Sequence, residues 1–418
     1  MSGLERNILI GGDTGSHRSP VPDALSLSNE RLKAALVLRD RMIAELPRVP
    51  NGSDFLAPLG ELLRQAGLKI DRIASVFEAL HADYIGVGRS WTWKEGTSTR
   101  FVKHGEQYDQ SYASSPFSYV NRTGKWLLLD LAETSDDLFP IILELKLRGY
   151  SQYLTVPLHY TNGTENAISF ATKSSEGFSK EDIAFIGNIL PTLSLTFEMR
   201  SNRFRIDNVL RTYVGNEPRR AILSGAIRRG QVTRIRSAIL CADMRDYTRI
   251  TSTMSPEQAV QLLDTYFDCI VPCVEIHGGE ILKYIGDGVL AIFRDHGDDT
   301  GSAAHNALEA AMESLARLEQ ANKQGRFAKP VSVGIALHHG EAAYGNVGSG
   351  SRLDFTVIGP DVNFASRLTR LNKLLHEPLL TSRAFANQLW RDLDPIGSHT
   401  IDGFEEPIEL FRLSKFSC

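Results

Sequence analysis

Apolar spacing changes character several times along the chain, and the changes mark its parts. Over 29–46, Leu32, Ala35, Leu36, Arg39 and Ile43 recur at helical spacing before Pro47, Pro50, Asn51 and Gly52 break the run. Between 55 and 197 helical and alternating spacings interleave. They predict helices over 56–66, 69–81 and 137–148, and strands over 84–90, 99–104, 126–130, 153–159 and 166–172. Asn162 and Gly163 stand between the last two alternating runs, a hairpin signal. Ser179 caps a helix whose first turn carries Glu181 and Asp182, and which extends through Arg200 towards Arg205. From Thr233 the order becomes regular. A strand ends at Asp243, and a helix over 256–276 shows Ala259, Leu262, Leu263, Tyr266, Phe267 and Ile270 on one face. A hairpin over 280–285 and 289–293 turns at Gly286, Asp287 and Gly288. A helix over 300–322, a strand over 331–337, a glycine-rich extension over 340–351, a strand over 355–358 and a helix over 361–374 follow. Strand, helix, strand, strand, helix, strand is the ferredoxin-like order.

Composition narrows the class. A chain of 418 residues suggests two or three domains, and 42% hydrophobic with 23% charged residues is the balance of a globular protein. A net charge of −4 speaks against non-specific nucleic-acid binding, and no run of apolar residues is long enough for a membrane span. Cys241, Cys269, Cys273 and Cys418 form no CxxC pair, so the cytoplasm is the expected compartment. Residues 1–24 are rich in Gly, Ser, Pro and Asp and are expected to be unstructured. The stretch 198–233 is basic, with Arg200, Arg203, Arg205, Arg211, Arg219, Arg220, Arg228 and Arg229, and reads as a helical connector interrupted at Pro218 and Gly230. His81, His104 and His159 carry no ligand spacing. Trp91, Trp93, Tyr112, Phe117, Tyr119 and Trp126 either line an apolar pocket or pack an ordinary core.

Two aspartates carry the chemistry. Asp243 and Asp287 each end an apolar run and are followed at once by turn residues, which puts both carboxylates at the mouth of a sheet. Such a pair can hold divalent cations against a polyphosphate.

Two resemblances follow. The alternation over 55–197, an antiparallel sheet flanked by helices and ending in a long helix, resembles a GAF domain, which implies a sensor or dimerisation module with a small-molecule effector. Residues 234–413 resemble the class III nucleotidyl cyclase catalytic domain, of the bacterial type. The resemblance rests on seven stretches in order, those at 243–248, 278–283, 285–287, 333–335, 345–348, 355–359 and 362–367. Together they imply an α+β chain. Its parts are a flexible N-terminus and helix at 1–50, a GAF-like α/β sensor domain at 55–197, a linker at 198–233 and a ferredoxin-like class III cyclase domain at 234–418.

The family resemblance implies an adenylate cyclase closing ATP to 3′,5′-cyclic AMP and pyrophosphate with two Mg²⁺ or Mn²⁺ per site. Asp243, Met244 and Asp287 match the metal positions. Lys283 and Thr356 match those that read the base, and Asn363 and Arg367 those that orient the ribose and stabilise phosphate charge. In the family the two sets come from different chains, which implies a homodimer. A hydroxyl both donates and accepts, so Lys283 carries the preference for adenine over guanine. Guanylate cyclase is the alternative enzyme, and a catalytically weak nucleotide-binding or dimerising protein the alternative class. Two positions depart from the family. Asp402 and Phe404 stand where cations, including a phosphate-binding lysine, are usual, with Arg352, Arg370 or Lys373 as candidates to compensate. Asp246 stands where glycine is usual.

Overall fold

The computed structural model describes residues 27–50, 55–78, 84–103, 112–163, 165–225, 228, 230, 232–295, 300–350, 352–390, 393–401, 403–404 and 406–413. The expected disorder of 1–24, and Arg229, Asp402 and Cys418, lie outside them. The chain divides into two compact units, Met1–Thr212 and Tyr213–Cys418. Among the described residues no helix is long and apolar enough to cross a membrane.

In the first unit, helix α1 (Asn29–Glu45) starts where the Ser28 hydroxyl accepts from the Arg31 amide. Its buried stripe is Ala35, Leu38 and Met42, whereas Leu36 is 47% and Ile43 61% exposed. The face is therefore rotated from the expected one. Helix α2 (Leu56–Gln65) agrees with expectation. The helix expected over 69–81 is instead strand β1 (Arg72–Glu78). Ile70, Ile73, Ala74 and Phe77 fall at helical spacing, but β-branched Ile73 and Val76 suit a strand, and pairing on both edges decides the matter. The remaining strands are β2 (Tyr84–Thr92), β3 (Gly96–Lys103), β4 (Leu127–Asp130), β5 (Gln152–His159) and β6 (Glu165–Thr172). They form an antiparallel sheet in the order β3-β2-β1-β6-β5-β4.

Alternation along these strands feeds two cores. One holds Leu154, Val156, Ile168 and Phe170 with Leu38, Leu59 and Phe185. The other holds Tyr153, Ala167 and Ala171 with Val120 of α3 (Pro116–Thr123) and Ile142 of α4 (Ile141–Leu147). The six aromatic residues do not share one pocket. Trp91 and Trp126 join the first core, Phe117 and Tyr119 pack on the second, and Trp93 is exposed under the Arg64 guanidinium. Helix α5 (Lys180–Val214) opens with a reciprocal cap between Ser179 and Asp182 and runs beyond Arg205. Gly215, at φ 87°, breaks the connector before α6 (Asn216–Leu223). Pro218 is not the break, because in the first turn of α6 its missing N–H costs nothing.

The second unit begins with β7 (Val232–Met244), α7 (Tyr247–Thr251), α8 (Pro256–Ile276), β8 (Glu280–Ile285), β9 (Gly288–Arg294) and α9 (Thr300–Lys323). It continues with β10 (Val333–Ser349), β11 (Arg352–Ile358), α10 (Pro360–Leu375), β12 (Leu379–Ser382), α11 (Arg383–Ala386), β13 (Asp394–His399) and β14 (Ile408–Arg412). The sheet order is β13-β14-β12-β10-β7-β9-β8, with β11 on β10. Its part β10-β7-β9-β8 is antiparallel and has the ferredoxin-like arrangement. Ser255 and Gln258 form a capping box that starts α8. Leu262, Tyr266, Ile270 and Val274 of α8 pack with Ala303, Ala304, Ala307 and Ala311 of α9 against Leu240, Ala291 and Ile335. Cys269 and Cys273 are buried there and donate to carbonyls one turn back, as small core residues do. Helix α10 buries Val362 and Ala365 in one further cluster with Ile239 and Leu290, and Phe364 and Leu368 in another with Ala336 and Leu380.

One strand is longer than its composition suggests. Most of the glycine-rich extension over 340–351 is strand. β10 continues into it as far as Ser349, pairing with β7 from Gly340 to Gly345 and with β11 from Ala343 to Ser349. Gly345 is paired on both edges, Gly340 with β7 and Gly348 with β11, while Gly350 turns the chain at φ 53°.

Gly279 packs where a Cβ would lie 2.6 Å from Phe293 ring carbons and 2.7 Å from Val274. Gly279→Ala is expected to cost about 1–3 kcal/mol through overpacking. The check is a lower denaturant midpoint at unchanged m.

Candidate functional site

Strand β7 emerges from a wholly apolar stretch, Ala238 to Ala242, and delivers Asp243 to the sheet end opposite Gly334 of β10. The β8–β9 turn delivers Asp287, and the next residue, Gly288, lies close to Asp243: a Cβ there would sit 3.6 Å from its carboxylate. The two aspartates thus meet, half-buried, at one edge. Burial first, and then the charge and hydrogen bond of Asp287, push the Asp243 carboxyl up to about 6, while Arg245 and Lys373 oppose the shift. Tyr266, fully buried in α8, lies within reach of both acidic charges, and its hydroxyl has no hydrogen-bond partner among the described residues.

These residues fit divalent cations. Among the described residues no group of three or more His, Cys, Asp or Glu gathers as a self-sufficient metal site. Mg²⁺-type ions, however, are commonly held by one or two carboxylates completed by substrate phosphates. Two carboxylates forced together against burial provide that incomplete set. Met244 buries its side chain in the core, so only its backbone could contribute.

The backbone after Asp243 differs from the simplest phosphate cradle. The Arg245 amide donates to the Ser332 carbonyl at 2.8 Å, so a cradle can begin only at Asp246. Asp246 has φ 56°, the left-handed region where glycine is easiest but Asp is tolerated. Its side chain turns to cations, Lys373 at 2.8 Å and Arg249 at 3.3 Å, which hold its carboxyl below the usual range.

The remaining expected residues occupy β8, β11 and α10. Lys283 projects from β8 and ion-pairs with Asp354 of β11. Thr356 lies two residues further on and therefore on the same face of the strand. Asp354 escaped the sequence reading, although period-2 spacing from Thr356 was the available signal. Asn363 and Arg367 sit one turn apart on α10. The Arg367 guanidinium lies over the Phe404 ring at 5.7 Å, and Phe404 packs edge-on against Phe364 at 5.1 Å. Phe404 thus supports an arginine where a lysine was expected. Of the candidates to replace that lysine, Arg370 is exposed and Lys373 is held by Asp246, while the Arg352 side chain lies outside the described residues.

Residues 233–374 match the family model of the adenylate and guanylate cyclase catalytic domain. Over 145 residues the chain is 37% identical to an adenylate cyclase of Anabaena cylindrica, a match covering 34% of this chain and 29% of that protein. Over 176 residues it is 32% identical to adenylate cyclase 1 of Rhizobium meliloti (strain 1021), covering 41% and 26%. The chain therefore spans less than a third of the length of these two relatives. Among solved structures it is similar to the adenylyl cyclase CyaB from P. aeruginosa, at 22% identity and a TM-score of 0.40 over 44% of this chain and 96% of that one. It is also similar to the guanylyl cyclase Cya2, at 24% identity and a TM-score of 0.38 over 44% and 96%. The second unit accordingly carries a class III adenylate/guanylate cyclase catalytic domain.

Because the Asp243 carboxyl is raised in the fold, its contribution favours the fold below the ordinary carboxylate range and is lost as pH rises through about 6. Asp243→Asn cannot ionise. It is expected to raise Tm by roughly 2–4 °C at pH 8 without divalent cations, a difference that shrinks as pH falls below 6. Equal melting temperatures of variant and parent at both pH values would show that the Asp243 carboxyl is not raised by the fold.

Proposed function

We propose that this protein is an adenylate cyclase, converting ATP to 3′,5′-cyclic AMP and pyrophosphate at the interface of a homodimer. The observation that carries the reading is the half-buried Asp243–Asp287 pair at the sheet mouth, an arrangement that costs stability unless cations and phosphate complete it. Asp243 and Asp287, with the Met244 backbone, would hold Mg²⁺ or Mn²⁺. Those ions would acidify the ribose 3′-hydroxyl and neutralise charge on the phosphates.

The protein's own residues do the folding and orienting. The 3′-oxygen and the α-phosphorus belong to one molecule, so the barrier falls chiefly by holding that molecule bent into line. Asn363 of the partner chain orients the ribose, and Arg367, backed by the Phe404 ring, faces charge developing on the phosphates as the bond to pyrophosphate breaks. Lys283 donates to an acceptor nitrogen of adenine. Asp354, its ion-pair partner, fixes that lysine and supplies an acceptor for the adenine amino group, a role Thr356 can fill only in part. The β10–β11 hairpin is the element that reaches the partner.

The first unit is a GAF-like regulatory domain that responds to a small-molecule effector. Its six-stranded antiparallel sheet, two cores and 35-residue exit helix support that reading. A cytoplasmic location fits this role.

Turnover of ATP and GTP, each with Mg²⁺ and with Mn²⁺, is the first test, and cyclic AMP from ATP is the expected product. Lys283→Glu is expected to weaken ATP use and admit GTP, and an unchanged nucleotide preference would refute the base assignment. Mixing Asp243→Ala chains with Arg367→Ala chains should restore one intact pocket per mixed dimer. Mixed dimers as inactive as either parent would refute the composite site.

A further inference from the structure

Helix α10 presents its functional side chains in two directions. Asn363 and Arg367 are four residues apart and share a face. Lys373 is six residues beyond Arg367, which turns it by about 120° from that arginine. In that direction lies the end of β7 of the same chain. The Lys373 ammonium pairs with Asp246 at 2.8 Å, and its charge is felt by Asp243. Arg245 joins the two elements independently. Its guanidinium donates to the carbonyls of Thr369 at 3.5 Å and Glu377 at 3.4 Å, and it occupies space that a side chain at Gly334 would fill. The C-terminal end of α10 is therefore fastened beside the metal carboxylates of its own chain.

We infer that Lys373 contacts the triphosphate in the pocket built on its own chain's Asp243 and Asp287, and that Asp246 holds it in reserve until phosphate arrives. This rests on the composite-pocket reading proposed above and adds a cation from the opposite subunit to that pocket. One helix then serves both sites of the dimer, Asn363 and Arg367 acting across the interface and Lys373 within its own chain.

The chemistry suits the role. The lysine expected on the far side of the pocket is absent, and Phe404 is committed to packing. The Lys373–Asp246 pair is solvent-exposed, with side chains 64% and 39% accessible. An exposed ion pair of this kind is held only weakly. A triphosphate, carrying several negative charges and many acceptor oxygens, can displace a single carboxylate. Asp246 at φ 56° stands where a glycine would leave Lys373 without that partner.

The test is complementation between variants, assayed at ATP concentrations below the KM of the Lys373 variant. Lys373→Ala is expected to raise KM for ATP about tenfold or more with a smaller change in kcat, the signature of lost ground-state binding, and Lys373→Arg to restore most of it. Mixing Lys373→Ala with Arg367→Ala should recover activity, because one pocket of the mixed dimer then has every group intact. Mixing Lys373→Ala with Asp243→Ala should not, because the only pocket with intact aspartates lacks its lysine. The reverse pattern would place Lys373 across the interface and overturn the inference, as would an unchanged KM in Lys373→Ala. Failure of the Asp243→Ala and Arg367→Ala mixture would instead strike the composite pocket itself. Asp246→Asn keeps a residue that tolerates positive φ and removes the competing charge. It is expected to lower KM about threefold, and an unchanged KM would remove Asp246 as the holder of Lys373.

Discussion

Repulsion between Asp243 and Asp287 is the constraint around which the second unit is arranged. An apolar strand and a glycine-flanked turn bring two acidic groups together at a partly buried edge, where burial and then the Asp287 charge disfavour the ionised form of Asp243. Keeping such a pair costs stability unless opposite charge stands beside it. Arg245 and Lys373 supply part of that charge but do not offset burial and the Asp287 charge together, since the Asp243 carboxyl is still pushed up to about 6. The residual deficit is what would draw metal ions and, with them, a polyphosphate.

The scaffold holds these groups by ordinary packing. Helices α8 and α9 close on one face of the sheet through alanines and a full-length apolar stripe, so β7 and β9 cannot shift without opening the core. On the other face α10 is seated by Phe364, Ala365 and Leu368 and stapled to β7 by Arg245. Position, rather than unusual reactivity, is what this framework would contribute to the proposed cyclisation of a flexible nucleotide.

Phe404 and Asp246 show how a departure from a family pattern is absorbed. Phe404 could not replace a lysine's charge, yet its ring packs on Phe364 and carries the Arg367 guanidinium. Asp246 accepts a backbone conformation that favours glycine and offsets its charge with Lys373 and Arg249. Neither accommodation was visible along the chain, because both depend on residues distant in sequence.

Local signals determined a good deal by themselves. The caps at Ser179 and Ser255, the helix over 256–276, the hairpin at Asp287 and the strand ending in Asp243 all follow from neighbours within a few positions. Where two answers were locally equal, tertiary pairing chose. Residues 72–78 have helical spacing but lie between two strands. The glycine-rich stretch after Gly340 is strand as far as Ser349, with Gly345 paired on both edges. Helix α1 turned its buried face to suit its neighbours. The pairing of Lys283 with Asp354, and of Lys373 with Asp246, belonged wholly to the folded chain. A charge chooses its partner by distance in space, and sequence order carries no measure of that distance.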